Sequence, residues 1–319
     1  MKKVLLTGAN GFIGRHTLEG LLERDYEVHA VSSRDMDNGV PSIHWHRVDL
    51  LEPDQISGLI SRVQPTHLLH FAWVTEPGKY WTSLENVEWV QASIDLVREF
   101  ARHGGQRVVM AGTCAEYDWR QGYCTEGKTP LVPAQLYGVC KNALQMILHG
   151  FAEQAGISTA WGRIFFLFGP YEREERLIPS VINALLKREP VCCSHWNQTR
   201  DFLYVQDAAD AFVALLGSKV TGPVNISSGQ GIQIREIVKK TAGQIGGIER
   251  VQWGSIEVPS MEPPDLVGDN RRLYKEVGWS PKYDLDRGLE MTIEWWKERP
   301  DKRGENITSS FPRGMKASG

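Results

Sequence analysis

Residues 3–14 read KVLLTGANGFIG, and this stretch most constrains the fold. An apolar run, a glycine-rich turn and a helix-like pattern over residues 12–24 make a strand–turn–helix unit. Its glycines have separate uses. Gly8 permits the tight turn, Gly11 lets the backbone approach a pyrophosphate, and Gly14 lets helix and strand pack closely. Free N–H groups and the positive dipole at the helix start then face the phosphates. The unit predicts a dinucleotide site built from Gly8, Asn10, Gly11, Phe12, Ile13 and Gly14.

Strands and helices alternate beyond it. EVHAVSS, IHWHRVD, THLLHFA, RVVMAGT and STAWGRIFFLFG read as strands. Residues 53–63, 83–103 and 133–155 read as helices, the last with Pro133 at its first position and Gly156 as its C-terminal cap. Continuous apolar strands in this alternation predict an α/β fold, a Rossmann-type doubly wound parallel sheet. After about residue 168 the alternation fails, which predicts a smaller C-terminal substrate-binding lobe. The expected division is 1–168 for the dinucleotide-binding domain, with a returning segment at about 203–228. Residues 169–202 and 229–299 form the second lobe, and 300–319 a tail.

Composition excludes several classes. A net charge of −3 gives no general attraction to nucleic acid or anionic membrane. No apolar run approaches the roughly 20 residues of a membrane helix, and the N-terminus lacks a signal-peptide pattern. Five cysteines, an odd number without a CxxC pair, do not make a disulfide framework, so a cytoplasmic location is expected. CCSH at 192–195 and HWH at 44–46 lack a second ligand pair at zinc-site spacing. They read as buried thiols and strand histidines, and no metal is expected.

The end of the second strand bears on the choice of dinucleotide. An NAD site tends to place a carboxylate there for the ribose hydroxyls. Here the chain reads Ser32, Ser33, Arg34, and an arginine suits a 2′-phosphate. NADP(H) is therefore expected over NAD(H), with NAD(H) still open and Asp35 weakening the pull of Arg34.

Tyr137 and Lys141 form YGVCK, four residues apart on one helical face. A free tyrosine, with a pKa of roughly 10, is a poor base at neutral pH. A nearby ammonium lowers that value and makes a tunable acid–base group for a carbonyl or alcohol.

TGANGFIG, the strand-end AGT at 111–113 and YGVCK, in this order, resemble the extended short-chain dehydrogenase/reductase family of nucleotide-sugar epimerases, dehydratases and reductases. Supporting matches are Asp49–Leu50 on the adenine side, His70–Phe71–Ala72 at the fourth strand and Asn86 in the next helix. RDFLYVQDAADA at 200–211 and the blocks VNISSGQGIQIREI and VGWSPKYDLDRGLEMTIEWW continue the resemblance to residue 297. It implies that Tyr137 is the acid–base residue, that Lys141 lowers its pKa and holds the nicotinamide ribose, and that Thr113 orients the substrate oxygen. It also implies cofactor contacts from Ser33, Arg34, Asp49, Leu50, Phe71, Ala72, Trp73 and Ile164. For the substrate it implies Arg200 at the phosphates, with Cys114, Phe166, Arg176 and Arg271 as further pocket candidates. A nucleotide sugar is the expected substrate, and a homodimer through helices 83–103 and 133–155 the expected assembly.

Two departures narrow the chemistry. Sugar 4,6-dehydratases of the family carry Asp then Glu directly after the threonine, where this chain has Cys114 and Ala115. Glu116 comes one step late, and on a strand one step points to the opposite face. Many epimerases of the family read RxFN before the Gly–Pro turn, where RIFF puts Phe166 in place of the asparagine. The expectation is an NADP(H)-dependent reductase of a nucleotide-linked 4-keto-6-deoxy sugar, with an NAD-dependent 4-epimerase as the alternative.

Overall fold

A computed structural model describes residues 2–36, 40–192, 197–255 and 263–299. In chain order the first elements are β1 (Lys2–Thr7), α1 (Gly14–Leu22), β2 (Tyr26–Ser32), β3 (Ile43–Arg47), α2 (Pro53–Val63), β4 (His67–His70), α3 (Glu85–Arg102) and β5 (Arg107–Thr113). Then come β6 (Tyr123–Cys124), α4 (Leu136–Ala155), β7 (Ser158–Ile164), β8 (Phe166–Phe168), α5 (Leu177–Leu186), β9 (Val191–Cys192), β10 (Thr199–Tyr204) and α6 (Val205–Gly217). The chain continues through β11 (Gly222–Ile226), β12 (Gly231–Gln233), α7 (Ile234–Ile245), β13 (Val251–Gln252), β14 (Asp265–Gly268), α8 (Arg271–Lys275) and α9 (Leu285–Lys297).

The main sheet runs β11-β7-β5-β4-β1-β2-β3, and every neighbouring pair in it is parallel. Its strands are apolar on both faces because helices cover both. Successive residues take opposite sides. Leu5, Leu68 and Val108 pack with Ile56 of α2, Leu96 of α3 and Leu144 of α4. Leu6, Leu69 and Val109 pack with Leu18 of α1 and Phe212 of α6. The strand order reverses between β1 and β4, so their carboxyl ends flank the crevice where doubly wound sheets bind ligands. This is the Rossmann-type fold that the alternation predicts.

A second body of structure is built on a smaller sheet. In it β10 pairs with β8, β12 and β14, and β14 pairs with β6. Helices α5, α7 and α9 supply its apolar core through Ile182, Ile237 and Leu289.

Several local expectations are corrected. Helix α1 begins at Gly14, not residue 12, because the turn closes on itself with the Gly11 N–H donating to the Gly8 carbonyl. Helix α4 begins at Leu136, so Pro133 is not its first residue: Gln135 is still extended, at φ −133° and ψ 158°. Gly156 does cap its C-terminus in the left-handed region, at φ 68°. The run STAWGRIFFLFG is two strands. Phe165, buried, breaks it, and β8 leaves the main sheet to pair with β10. Residues 256–262 and the expected tail at 300–319 lie outside the described residues.

Candidate active site

The glycine turn is shaped by close approach of backbone to backbone. Gly8 has φ +65°, and a Cβ there would lie 2.8 Å from the Ala72 nitrogen. A Cβ on Gly14 would lie 2.2 Å from the Gly8 oxygen. No side chain can fill this cradle at either position, and it opens on the start of α1, so it fits a dinucleotide's diphosphate. Asn10 accepts hydrogen bonds from Arg15 through its backbone carbonyl at 2.5 Å and its side chain at 2.8 Å. The Arg15 guanidinium lies 3.9 Å from the centre of the Tyr171 ring, tying the turn to the second body. Phe12 packs edge-on to His16, and Ile13 joins the core beneath.

Beside the turn, one buried hydrogen-bond chain joins β1, β4 and α3. The Ser93 hydroxyl donates to the Trp89 carbonyl at 2.7 Å, so toward His70 it must accept, from Nε2–H at 2.9 Å. His70 Nδ1 then accepts from the Thr7 hydroxyl at 2.6 Å, and Thr7 in turn accepts the Ala72 N–H at 3.3 Å. Burial, with the Lys141 charge adding to it, pushes the His70 pKa down to about 3, so the ring is neutral. Phe71, next in sequence, stands edge-on to Phe212 at 4.8 Å.

At the end of β2, Ser33 and Arg34 are exposed, and the Arg34 N–H donates to the Ser32 hydroxyl at 3.1 Å. Asp35 is engaged elsewhere, pairing with Arg47 at 2.8 Å. Asp49 shapes the turn before α2 by accepting the Leu51 N–H at 3.0 Å, and Leu50 is buried in the core.

Thr113 ends β5, with Ile164 beside it in register on β7. The chain then turns into a short 3-10 helix over Cys114–Glu116 instead of continuing as a strand. Glu116 therefore avoids the crevice for a reason other than strand alternation. Its carboxylate folds back to accept the Thr113 N–H at 2.8 Å, the Trp161 indole N–H at 2.9 Å and the Arg163 guanidinium at 2.6 Å. Tyr117 is a packing residue: its hydroxyl donates to Asn225 at 2.7 Å and accepts from Arg163 at 3.1 Å. Asp118 caps the following turn and pairs with Arg120 at 2.7 Å. Cys114 sits in a small apolar cluster with Cys124, Phe165 and Leu266, and burial pushes its thiol well above the ordinary range.

Helix α4 reaches this turn because Gly138 has no side chain: a Cβ there would lie 2.4 Å from the Ala115 oxygen. The close approach brings the Tyr137 phenol beside the Thr113 side chain. Burial raises the Tyr137 pKa above its ordinary value; Tyr80 adds to this and the Thr113 side chain opposes it. Lys141 lies on the same helical face but does not bond the phenol. Its ammonium donates to the Ala111 carbonyl at 2.9 Å and sits 3.7 Å from the centre of the Trp73 ring. Burial lowers its pKa to about 7, with the Glu116 charge opposing.

The loop after β4 closes over Tyr137. Tyr80 and Trp81 stand perpendicular to its ring at 4.9 and 5.7 Å, and the Trp81 carbonyl accepts the Tyr137 N–H at 3.1 Å. Asn86, fully buried, anchors that loop, accepting from the Trp73 indole at 2.8 Å and donating to the Tyr80 carbonyl at 2.7 Å. Trp119 backs Trp81 edge-on at 6.1 Å.

The predicted substrate residues do not all share one place. Arg176 lies over the Tyr80 ring at 5.4 Å, and so near Tyr137. Arg200 is buried, donates to the Thr199 carbonyl at 2.9 Å and stacks on Phe166 at 5.6 Å. Arg271 is held by Asp269 through several hydrogen bonds, which also keep the Asp269 pKa down at about 2.

Two residues at the crevice had no sequence signal. Arg15 follows the glycine motif directly, where the motif itself says nothing. Glu172 is one of three glutamates in GPYEREER, yet its Oε2 is buried without a hydrogen-bond partner. Burial lifts its pKa to about 8, against the pull of Arg176.

Comparison with known proteins accords with this geometry. The chain is 28% identical to a UDP-glucose 4-epimerase of Azospirillum brasilense, over 95% of this chain and 94% of that protein. It is 25% identical to the CDP-abequose synthase of Salmonella typhimurium, over 91% of this chain and 97% of that protein. Among solved structures, MoeE5 in complex with UDP-glucuronic acid and NAD superposes with a TM-score of 0.81 at 27% identity, covering 93% of this chain and 99% of MoeE5. The model of the NAD dependent epimerase/dehydratase family matches residues 4–227, and the chain belongs to that family.

Proposed function

We propose that the protein transfers a hydride at a keto or hydroxyl carbon of a nucleotide-linked sugar, and that its reaction is NADP(H)-dependent reduction of a 4-keto-6-deoxy sugar. One observation carries this reading. The only carboxylate within three residues of Thr113 is Glu116, and it is locked on Arg163 and Trp161. Elimination of water needs an acid and a base at the sugar, and the turn after Thr113 offers neither. Arg34, exposed at the end of β2, supports recognition of a 2′-phosphate.

Gly8, Gly11 and Gly14 are the residues to hold the dinucleotide's diphosphate, and Lys141 its nicotinamide ribose. When bound, the dinucleotide supplies or accepts the hydride. Tyr137 keeps its proton in the buried site and releases it to the substrate carbonyl oxygen as that oxygen gains charge. Thr113 positions the same oxygen. Tyr80 and Trp81 keep water from the phenol. Arg200 and Arg176 are the candidates for the substrate's phosphates and sugar.

A second reading, an NAD-dependent 4-epimerase, is favoured by the relative of that activity at 28% identity and by NAD in the MoeE5 complex. The decisive experiment mixes purified protein and NADPH with a panel of nucleotide-linked 4-keto-6-deoxy sugars and follows absorbance. Stoichiometric NADPH loss supports the reductase. No loss with any of them, together with NAD copurifying on the protein, supports the epimerase.

We also propose a homodimer. Leu84 and Val87 at α3 and Val139, Met146 and Ile147 on α4 are exposed apolar residues on two adjacent helices. Light scattering on the full chain tests it, and a monomer at high micromolar concentration overturns it.

A further inference from the structure

Away from the crevice, at the β3 edge of the main sheet, four side chains meet that no sequence spacing connects. Parallel register sets His29 beside His44 and Val31 beside His46. Residues two apart on a strand share a face, so Glu27 and His29 of β2 and His44 and His46 of β3 project to one side. The His29 ring stacks on both partners, at 4.9 Å from His44 and 5.1 Å from His46. One ligand atom each from Glu27, His29 and His44 lies within 4.8 Å of the others. His29 Nε2 is 3.0 Å from Glu27 Oε1. Two ligands on roughly 2 Å bonds at a tetrahedral metal are separated by about 3.3 Å, so this pair is already near the spacing an ion requires.

We propose that Glu27, His29 and His44 form a binding site for a divalent transition-metal ion, of which zinc is the representative. His46 is a positioning residue. Its Nε2 lies 2.9 Å from His29 Nδ1. When Nδ1 carries the proton and donates it to His46, the His29 Nε2 lone pair points toward Glu27, and a cation between them satisfies both. Orientation of a ligating histidine through its other ring nitrogen is the usual outer-shell arrangement. Two imidazoles and one carboxylate suit zinc or nickel, whereas magnesium and calcium prefer all-oxygen sets. Lys3, 3.7 Å from Glu27, is the cation that the metal must displace from the carboxylate. Exposed His44 gives an ion access from solvent. The bound ion clips edge strand β3 to β2, where an open edge otherwise invites pairing with other chains. The notion that HWH lacks a second ligand pair is thus revised: the pair is Glu27 and His29, on another strand.

The test is calorimetric titration of zinc chloride into the full-length protein after EDTA treatment and dialysis, with thermal melts alongside. One equivalent is expected to bind at low-micromolar affinity and to raise Tm. His44→Ala and Glu27→Gln, neither in the crevice, are each expected to weaken binding roughly tenfold or more and to remove the Tm shift. His46→Ala should weaken it by roughly 10–100-fold. A control variant with Cys192→Ser and Cys193→Ser should bind as the parent does. Absence of zinc binding, unchanged affinity in both His44→Ala and Glu27→Gln, or loss of binding only in the cysteine variant overturns the proposal.

Discussion

The Arg163 guanidinium donates to the Glu116 carboxylate at 2.6 Å, with side chains 2% and 0% exposed. Glu116 also holds the Thr113 N–H, and Arg163 the Tyr117 hydroxyl. The pair therefore fixes the turn on which Thr113 is presented, while withholding a carboxylate from the crevice. Removing one partner of a buried pair leaves an uncompensated charge, at a cost of about 3–5 kcal/mol. Arg163→Met is expected to lose stability in that range in urea denaturation. The Glu116→Gln/Arg163→Met double variant should lose less than the sum of the single losses. Additive losses would show that the two side chains do not act as a pair.

The two tyrosines of the region are expected to separate chemistry from packing. Tyr137→Phe removes the phenol that stands beside Thr113 and should lower kcat by about 10²–10⁴-fold with little change in Tm. Tyr117→Phe removes a buried hydroxyl that donates to Asn225 Oδ1 and accepts from an Arg163 N–H, costing about 1–3 kcal/mol, with kcat nearly intact. Turnover at parental rates in Tyr137→Phe would falsify the acid–base assignment.

Choice of cofactor is expected to reside in Arg34. A charge-assisted contact to a 2′-phosphate is worth about 1.5–3 kcal/mol, so Arg34→Ala should raise KM for NADPH by roughly 10–100-fold and leave KM for NADH unchanged. Asp35→Ala breaks only an exposed pair with Arg47 and should change neither stability nor KM appreciably. Equal affinity of the parent protein for NADH and NADPH removes the basis of this expectation.

The parallel, doubly wound sheet and the glycine turn are legible in the sequence because they rest on local signals. The glycine turn, the apolar strands and the Tyr137–Lys141 spacing each lie within eight residues. Where structure and sequence expectation differ, contacts between distant segments decide. The start of α4 at Leu136 is set partly by the Trp81 carbonyl, which takes the Tyr137 N–H. The end of β7 is set by β8 pairing with β10, some 35 residues on. Glu116 reads as a strand residue facing away, but its position is decided by Arg163 and Trp161 on the next strand. Lys141 stands on the helical face that its spacing predicts, yet its ammonium goes to the Ala111 carbonyl, which no helical spacing reveals. His29 and His44 come together only through strand register.

Acid stability is expected to depend on His70. Its pKa in the folded protein is about 3, against an ordinary 6.5, because the ring is buried between Thr7 and Ser93 near Lys141. The unfolded chain therefore binds a proton that the folded chain refuses between pH 6.5 and about 3. Stability from this group is complete above pH 6.5 and is lost as pH falls, by roughly 1.4 kcal/mol per unit. At pH 5 the loss is about 2 kcal/mol. Histidines 16, 46 and 67, each lowered to about 4 chiefly by burial, act in the same direction. His70→Gln will be less stable than the parent at pH 7, since the Thr7–His70–Ser93 chain is broken. Its further decline between pH 7 and pH 5 should be shallower by about 2 kcal/mol. Urea denaturation of both proteins at the two pH values measures this difference, and equal declines would show that His70 titrates normally in the folded state.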